Sequence, residues 1–529
     1  MEHSARVAGV IAEAQETLGA EMAPLRTTLG SGDLEQIETQ LQAMSRRVLG
    51  RLVEGVLAAR VAALPAKLVV CGQCGQPMRR VAGERARHLV GLVGDCVLHR
   101  PYWQCATCRR GEAPVDAQLG LGAGSLTPGL QRVVCRGGIT EAFETSLEVV
   151  SESLGVALDG EAVRRTTALG GAAAEAELQA AIARAQQGRA AEQIWPAAQR
   201  VPCPDVLLVE VDGAQARLQD GWHEAKLGRI GPLGPAVQHD LRSGRSHLAL
   251  GPSLYCAGLE EAEPFWWRVY ATACRYSLGS RRATVVVLAD GTPWIWRRAR
   301  AFLALPGVEV VEILDYFHRT QRLWQVTHAV FGPGSAQAAA WVEPLKDLLY
   351  TQGAPPVLAA LATLSPAEPA AAEEVRTATA FVTEHTARLN YPAFVARSLP
   401  IGSGAIESAC KTVLEARAKG AGMRWSAPGL QATLSLRCVQ RSGHWTTFWQ
   451  SQPARRRLPV CPRARARRLA PPIPSAVLPL PPALAARRSR PTTTHRLRRC
   501  GRPSTPPAAP RHPSATHPWR APACRPRRA

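Results

Sequence analysis

The chain has 529 residues, which is too long for a single hydrophobic core and predicts roughly three or four domains. Its hydrophobic content of 46% is ordinary for a globular protein, and no uncharged apolar run approaches the roughly 20 residues of a membrane-spanning helix. The N-terminus carries early acidic residues and lacks the basic-then-apolar order of a signal peptide, so we expect a cytoplasmic protein with no membrane partner.

The net charge of +22 is concentrated at the C-terminus. Residues 453–529 contain 19 arginines and neither lysine nor acidic residues, which leaves 45 of the 64 basic residues to balance 42 acidic ones elsewhere. The rest of the chain is therefore nearly neutral. The high net charge belongs to this segment and does not by itself establish DNA binding.

Residues 1–66 are predicted to be helical. Apolar residues recur there at intervals of three to four, with charged residues between them, as on one face of a helix. This pattern predicts a helical bundle or a dimerising helix pair. The apolar positions are Leu34, Ile37, Leu41, Met44, Val48, Leu52 and Val56.

Two cysteine pairs mark residues 67–115 as a zinc ribbon. Cys71-x-x-Cys74 and Cys105-x-x-Cys108 flank alternating, strand-like sequence, and two such pairs supply the four thiolates of a tetrahedral Zn²⁺ site. Four protein ligands close the site, so this zinc would be structural. The alternative is two redox-active or unrelated pairs. The other cysteines are scattered, which indicates a reducing compartment rather than a disulfide framework.

Residues 120–200 return to a helical pattern that resembles a helix-turn-helix. Gly155 can end the first helix, and Asp159 or Gly160 can begin the second. The second helix would then carry Arg164 and Arg165 into a DNA groove. A plain helical hairpin without DNA contact is the alternative.

Strands and helices alternate in residues 201–325, which predicts an α/β sheet. Apolar strands are expected at 206–211, 284–289 and 308–314, with a helix at 293–304, and the sequence QDGW predicts a tight hairpin turn between two further strands. Each of the three apolar runs stops at an acidic residue, namely Asp212, Asp290 and Asp315.

Residues 326–395 and 403–449 are predicted to be helical. Ser426 can cap one helix, with Pro428 in its first turn. Ser403 can cap another, which would place Glu407 in the first turn of that helix.

Several carboxylates in one small volume are what phosphodiester cleavage by two divalent ions requires, because Mg²⁺ prefers oxygen ligands. Asp212 and Asp290 could provide two of them, and Glu407 a third. Taken singly, each acid fits a turn or surface residue better, and it is the threefold pattern that favours a shared site. Asp315 and His318 are three residues apart and share a helix face, so the carboxylate could orient the imidazole. The alternative is a capped helix with a half-buried histidine.

Four segments carry a family resemblance: VDGAQ, LADGTPWIW, ILDYFHRTQRLW and PIGSGAIESACKTVLEARAKGAGMRWSAPGLQATLSLR. In this order, behind a zinc ribbon, they resemble bacterial insertion-sequence transposases of the ISKra type. The resemblance covers roughly residues 30–450. The segment around Glu407 is its most specific part.

The resemblance implies a DDE transposase, in which Asp212, Asp290 and Glu407 hold Mg²⁺ or Mn²⁺. Asp315 and His318 match a D-x-x-H motif that is similar to the one in mutator-like transposases. Metal-activated water would cut the transposon end, and the freed 3′-hydroxyl would attack target DNA. The implied partners are double-stranded DNA, as transposon ends and target, and further copies of the chain in a homo-oligomer on DNA in the bacterial cytoplasm.

The implied fold is an α/β RNase H-like catalytic core with a helical insertion. The core would comprise residues 201–325 and 396–450, and the insertion 326–395. An N-terminal helical region (1–66), the zinc ribbon (67–115) and a helical DNA-binding region (120–200) would precede it. Residues 451–529 lack apolar periodicity and are predicted to be a disordered Arg/Pro-rich tail, which is either a basic arm on DNA or an accidental extension.

Three other functions fit parts of the pattern. A different RNase H-like nuclease, such as a resolvase, would cut DNA without joining it. A zinc-ribbon DNA-binding regulator would bind DNA without catalysis. A degenerate transposase copy would be inactive, and the long tail makes this a serious alternative.

Overall fold

The computed structural model describes residues 2–25, 30, 32–63, 69–122, 124–239 and 246–455. Side chains are described for these residues except 2–7, 235–249 and 453–455. The predicted disordered tail lies outside the described residues from residue 456 onward. Residues 451–455 belong to the last helix, so the tail was predicted to begin slightly too early.

Two long helices form the N-terminal region, α1 (Glu2–Met22) and α2 (Leu34–Ala62), and they pack against each other. Asp33 begins α2, because its carboxylate accepts a hydrogen bond from the Gln36 N–H and so satisfies one free donor of the first turn. Most of the described residues of this region are therefore helical.

The predicted apolar face of α2 is only partly covered. Met44 is buried, whereas Leu34 and Val56 are 70% and 53% exposed. The periodicity correctly indicates a helix, but it overstates how much of that face the chain itself buries.

A small antiparallel sheet follows, with strand order β1-β2-β3. The register between β1 and β2 shifts between Arg80 and Glu84, where Gly83 adopts a left-handed φ of 75°. A short helix, α3, continues from β3. The elements are β1 (Met78–Leu89), β2 (Cys96–Cys105), β3 (Gly111–Glu112) and α3 (Pro114–Gln118).

Four helices lie in the segment predicted to hold a helix-turn-helix: α4 (Pro128–Thr140), α5 (Phe143–Leu154), α6 (Gly160–Gln186) and α7 (Ala191–Ile194). Gly155 ends α5 with a left-handed φ of 61°. Asp159 caps α6 by accepting a hydrogen bond from the Ala162 N–H. Both helix boundaries were predicted from these residues.

A six-stranded mixed sheet occupies the middle of the chain. Its strands are β4 (Val206–Leu218), β5 (Gly221–His239), β6 (Ser246–Leu250), β7 (Leu254–Gly258), β8 (Ala283–Ala289) and β9 (Val308–Leu314). The order is β6-β5-β4-β8-β9, and β7 also pairs with β5. Strands β4, β8 and β9 are parallel, whereas β5 is antiparallel to each neighbour. The α/β prediction is confirmed at this level.

Strand β4 does not end at Asp212, and the predicted end there is wrong. Its pairing with β8 stops at Glu210, but its pairing with β5 continues to Leu218, beyond which the predicted hairpin turn follows. The apolar run stops at Asp212 because β8 no longer covers β4 there. Beyond this point β4 pairs with β5 and not with β8.

The C-terminal half is mainly helical. Helix α15 continues through a π-helical turn (Cys410–Glu415) into α16. The helices are α8 (Ala262–Ala273), α9 (Pro293–Leu303), α10 (Tyr316–Phe331), α11 (Ala336–Gln352), α12 (Ala354–Ala362), α13 (Pro369–Glu384), α14 (Tyr391–Ala396), α15 (Gly404–Ala409), α16 (Ala416–Ala418), α17 (Ala427–Arg441) and α18 (Trp445–Arg455).

Ser426 caps α17 as predicted, accepting a hydrogen bond from the Gly429 N–H. Shorter 3₁₀ turns lie at Ala23–Leu25, Ala197–Gln199, Cys274–Tyr276 and Thr386–Leu389. Within the described part of the chain, no helix has the length and apolarity needed to cross a membrane.

The main core surrounds the parallel strands. Residues 285–289 of β8 are all buried, which is the pattern of a strand covered on both faces. Trp266 of α8 and Trp296 of α9 are among the large side chains packed there.

Helix α6 packs closely along α17, because two consecutive glycines, Gly170 and Gly171, face it. A Cβ atom at Gly171 would overlap the backbone carbonyl of Ala432. The helices that precede the sheet are thus tied to the helices that come after it.

Candidate functional site

The parallel strands bring polar residues to one edge of the sheet. Asp290 directly follows β8, and Asp315 directly follows β9. The two strand ends are joined by a hydrogen bond of 2.8 Å from the Asp315 N–H to the Ala289 carbonyl. Asp212 lies on β4, two residues beyond the last residue that pairs with β8. The sequence therefore predicted the shared edge correctly, although it misjudged the end of β4.

Asp315 is fully buried, and its carboxylate accepts three hydrogen bonds. Its Oδ1 accepts hydrogen bonds from the His318 N–H at 2.6 Å and from His318 Nδ1 at 3.1 Å, and its Oδ2 accepts one from the Ser403 N–H. Burial alone would raise the pKa of Asp315, but the hydrogen bonds from His318 and Ser403 outweigh it and lower the pKa. Asp315 is thus a charged helix cap that also orients a histidine, so both interpretations of this pair hold.

His318 lies between two carboxylates. Its Nδ1 is 3.1 Å from Asp315 Oδ1 and 3.8 Å from Glu407 Oε1, and its side chain is 44% exposed. The hydrogen bond with Asp315, together with the charges of Asp315, Glu407 and Asp290, raises the pKa of His318 to about 9 against the opposing effect of burial. The imidazole is therefore protonated at neutral pH.

Glu407 lies in the first turn of α15, as predicted, but Ser403 does not cap this helix through its side chain. The Ser403 hydroxyl instead approaches Glu407 Oε1 at 3.4 Å, while its backbone N–H reaches Asp315. The peptide at Ser403 thus bridges the end of β9 and the helix that carries Glu407. Ligand atoms of Asp315, His318 and Glu407 all lie within 4.8 Å of one another.

Asp212 and Asp290 flank this group. Asp212 Oδ1 accepts the Gly213 N–H at 2.7 Å, and Oδ2 lies 3.6 Å from the Cys410 thiol on the π turn. Burial, with the nearby charge of Asp290, raises the pKa of Asp212, while the Gly213 N–H, the Cys410 thiol and His318 partly offset the shift. Asp290 accepts hydrogen bonds from the Thr292 N–H at 2.9 Å and the Thr292 hydroxyl at 2.8 Å.

The predicted set of Asp212, Asp290 and Glu407 does not form the tightest group. Among the described residues, the group close enough to share one ion outside the cysteines is Asp315, His318 and Glu407. All five side chains nevertheless belong to one site, because His318 interacts electrostatically with each of the four acids.

Three features of this site were missed from the sequence. Glu210 is fully buried on β4, and its Oε2 lies 2.5 Å from Arg229 Nη1. Burial raises the pKa of Glu210 to about 7 against the opposing charge of Arg229. An acid inside the apolar run VLLVEVD was the available signal. The contacts of Ser403 and Cys410 join distant segments and carried no comparable signal.

Two buried arginines hold the π turn that comes after Glu407. Arg437 donates to the carbonyls of Val413 and Thr412, at 2.6 Å and 2.5 Å, and to that of Ile139 at the end of α4. Arg417 donates to the Gly138 carbonyl at 2.9 Å, and its guanidinium lies 4.6 Å from the ring centres of both Phe143 and Trp425. The helix of Glu407 is thereby fixed to the helices that precede the sheet.

The four predicted cysteines form one cluster. Sγ–Sγ distances are 3.4 Å for Cys71 and Cys108, 3.4 Å for Cys74 and Cys105, and 3.8 Å for Cys74 and Cys108. A tetrahedron with Zn–S bonds of about 2.3 Å separates its sulfur atoms by about 3.8 Å, so the cluster could bind a structural metal such as zinc.

The two cysteine loops share one backbone conformation. The Cys71 N–H donates to the Gln76 carbonyl, and the Cys105 N–H donates to the Arg110 carbonyl, five residues on in each case. The residue after each second cysteine is left-handed, with φ of 70° at Gly75 and 56° at Arg109. Each of the two loops therefore directs its two sulfur atoms toward the centre of the four-cysteine cluster.

The surroundings of Cys71 and Cys105 favour the thiolate form of these two residues. Backbone N–H groups, first that of Gln73, lower the pKa of Cys71, and the Cys108 N–H does most to lower the pKa of Cys105 to about 6. Although the Gln76 N–H opposes the shift, the neighbouring sulfur atoms raise the pKa of Cys74 to about 12. A cation among the four sulfur atoms would relieve this mutual repulsion.

Arg164 and Arg165 are exposed in the first turns of α6, but they are not free cations. Arg164 binds Glu161 through two contacts of 2.6 Å, and Arg165 lies 3.6 Å from the same carboxylate. Any DNA contact by this pair would compete with Glu161.

A scan against protein-family models matches none, and a search of curated proteins finds no relative. The functional assignment therefore rests on the residues and their geometry.

Proposed function

We propose that the protein is a DDE transposase with an RNase H-like catalytic core, which cuts and joins DNA at the ends of its insertion sequence. One observation carries the proposal. Asp212 and Asp290 lie just beyond the paired segments of the adjacent parallel strands β4 and β8, at the same sheet edge. The helix that carries Glu407 contacts that edge through Cys410 and Ser403. The resemblance of the segments around the same acids to ISKra-type transposases is consistent with this proposal.

The donor set fits hard divalent cations. Asp212, Asp290 and Glu407 offer carboxylate oxygens, the ligands that Mg²⁺ and Mn²⁺ prefer, and we assign the binding of these ions to them. Bound ions of this kind activate a water or hydroxyl and stabilise the leaving oxygen during phosphodiester cleavage. Asp315 is less suited as a ligand, because it is fully buried and its oxygens already accept three hydrogen bonds.

His318 and Asp315 have a separate role in this proposal. Asp315 holds the imidazole in one orientation and keeps it protonated, so that a positive charge lies beside Glu407. A cation at this position attracts a DNA phosphate to the acids. We therefore treat Asp315 as a positioning residue and His318 as a phosphate contact.

The cysteine cluster and the helices around α6 would recognise DNA. A zinc ion in the cluster would stabilise β1–β3, and Arg164 and Arg165 would exchange Glu161 for a phosphate. Homo-oligomerisation on DNA would bring two transposon ends together.

Strand cleavage and joining test the proposal directly. The full chain is mixed with labelled duplex DNA from the flank of its own gene, a second target duplex, and Mg²⁺ or Mn²⁺. We expect metal-dependent joined products that are lost in Asp212→Asn, Asp290→Asn and Glu407→Gln, while end binding is retained. Glu373→Gln, an exposed acid on α13, is the matched control and should behave as wild type.

The other outcomes identify the alternatives. Cleavage without joining would indicate a different nuclease. Specific binding without cleavage, in wild type and variants alike, would indicate a regulator or an inactive copy. Full activity in any one acid variant would contradict the role assigned to that acid.

A further inference from the structure

An open groove of about 900 Å³ lies beyond Asp212 on the same hairpin and is not part of the acid cluster. One wall is the β4–β5 hairpin, and the other is the loop between α16 and α17. Its lining includes Gln215, Arg217, Trp222, Lys419, Met423 and Arg424.

The groove is held open by backbone pairing rather than by side chains alone. The Trp425 N–H donates to the Arg217 carbonyl at 3.1 Å, and the Gln219 N–H donates to the Trp425 carbonyl at 3.0 Å. Gly422 turns the loop with a left-handed φ of 73°. The loop is therefore fixed to the hairpin at one end and arches away from it at Lys419–Arg424.

The chemistry of the groove is aromatic and basic. Trp222 is 59% exposed, which is unusual for an indole, and the Arg217 guanidinium lies 5.7 Å from the centre of its ring. An exposed indole ring beside cations is the arrangement that stacks a nucleobase and holds a phosphate.

The charge of the lining is positive. Arg217, Lys419 and Arg424 contribute cations, and none of the described lining residues is acidic. Lys419 is paired with Glu415 at 2.6 Å, whereas Arg217 and Arg424 make no ion pair with a carboxylate among the described residues. Two of the three cations are thus available to an anionic ligand.

We propose that this groove binds the DNA strand that leaves the acid cluster, with a base stacked on Trp222 and phosphates on Arg217 and Arg424. The inference rests on the proposed function, because it takes the acids as the point of cleavage. Gln215 and Arg217 follow Asp212 by three and five residues, or about 10 and 17 Å along a strand. At the roughly 3.4 Å per nucleotide of a duplex strand, and a longer spacing in an extended single strand, the groove lies at most about three to five nucleotides from the cut.

Photocrosslinking tests the inference on the full chain. The probe is a duplex with single-stranded overhangs that carry 5-iodouracil, which joins to an aromatic side chain stacked on it. We expect a crosslink in the tryptic peptide 218–226, which contains Trp222. Because the crosslink is mapped to a peptide, binding by the arginine-rich C-terminus does not obscure the result. A set of crosslinks that omits this peptide would overturn the inference.

A variant that leaves Trp222 in place provides the second test. Arg217→Ala also removes a trypsin site, so Trp222 is followed in the tryptic peptide 201–226 of that variant. The substitution should reduce the crosslink yield at Trp222 at least about ten-fold, the scale of one hydrogen bond to a charged group. Arg376→Ala, an exposed arginine on α13, is the matched control and should leave the yield unchanged. Equal yields in wild type and Arg217→Ala would contradict the phosphate contact.

The outcomes separate this inference from the proposed function. A Trp222 crosslink in a chain that never cleaves DNA would support the groove and reject the transposase. Metal-dependent joining without that crosslink would support the transposase and reject the groove. Glu407→Gln should abolish joining while retaining the crosslink.

Discussion

His318 is the side chain through which the acids of the site influence one another. Its protonated ring offsets the repulsion among four carboxylates that would otherwise face each other at the end of a parallel sheet. The buried Asp315 is the main cause, since it contributes both a hydrogen bond and a charge. The electrostatic state of the site is therefore set by a residue that is itself inaccessible to solvent.

Replacing Asp315 by Asn should lower the pKa of His318 from about 9 toward its ordinary value of 6.5, because the replacement removes the largest contribution. The pKa can be followed by NMR titration of the metal-free protein. Since the folded pKa of His318 is raised, its contribution to stability is fully present below about pH 6.5 and is lost as pH rises through about 9.

Glu407→Gln is the comparison for this titration. It removes a charge that contributes less to the shift, so it should move the pKa of His318 by less than Asp315→Asn does. A His318 pKa that is unchanged in Asp315→Asn would show that the contact with Asp315 does not control the ring.

The sequence revealed the acids but not all of their surroundings. Asp290 and Asp315 were predicted at strand ends because a buried parallel strand is a continuous apolar run with clear limits. Asp212 was misplaced because β4 extends beyond β8. The end of the apolar run marks the end of coverage by β8, and the sequence alone does not distinguish this from the end of the strand. The bond from Ser403 to Asp315 joins residues 88 apart, so no local pattern could predict it.

At the level of elements, the cysteine loops are the part of the fold that the sequence predicted best. The short spacing within each pair fixes the loop conformation locally, and the strands between the pairs need only bring the loops together. The predicted zinc site therefore does not depend on the exact register of β1 and β2.

Cys71→Ser should remove the zinc that we expect the purified chain to carry, one ion per chain, because it deletes one of four ligands. Elemental analysis after dialysis measures the ion. Cys96→Ser is the matched control, since Cys96 is also buried but lies outside the cluster, and its zinc content should stay at the wild-type value. Equal zinc in both variants would exclude the cluster as the site.

The close packing of α6 against α17 can be tested by adding a single methyl group. Gly171→Ala should destabilise the protein by about 1–3 kcal/mol, because the added Cβ overlaps the Ala432 carbonyl and the helices must separate. Chemical denaturation measures the change in the free energy of unfolding.

Gly19→Ala provides the reference for that measurement. Gly19 lies within α1, and a Cβ there meets no atom within 4 Å. The same substitution should therefore stabilise α1 by about 0.5–1 kcal/mol through helix propensity. A similar effect at both glycines would show that α6 and α17 do not pack as closely as the structure indicates.

For the molecule as a whole, the excess positive charge and the candidate functional sites lie in different parts of the chain. The acids of the site and the four clustered cysteines lie in the nearly neutral portion, whereas 19 arginines lie in residues 453–529. Non-specific attraction to DNA and recognition of a particular DNA end should therefore be separable.

Removing residues 456–529 should make non-specific DNA binding weaker and less dependent on salt. The slope of log K against log salt concentration should become shallower by about 0.9 for each phosphate that the segment contacts. Fluorescence anisotropy with a random duplex measures the slope. Identical slopes for the full and shortened chains would show that the segment makes no such contacts.

The π turn between Glu407 and Arg417 has a consequence for how proteins with this arrangement could vary. Each residue added to or removed from a helix rotates its N-terminal part by about 100° relative to its C-terminal part. The π turn holds one residue more than an α-helical turn. Deletion of Thr412 alone would therefore be absorbed by conversion to ordinary α-helix, and Glu407 would keep nearly the same angular position relative to Arg417. An added residue cannot be absorbed in this way, so a single in-frame insertion would turn Glu407 away from His318 while Arg417 and Arg437 still contacted the α4 carbonyls.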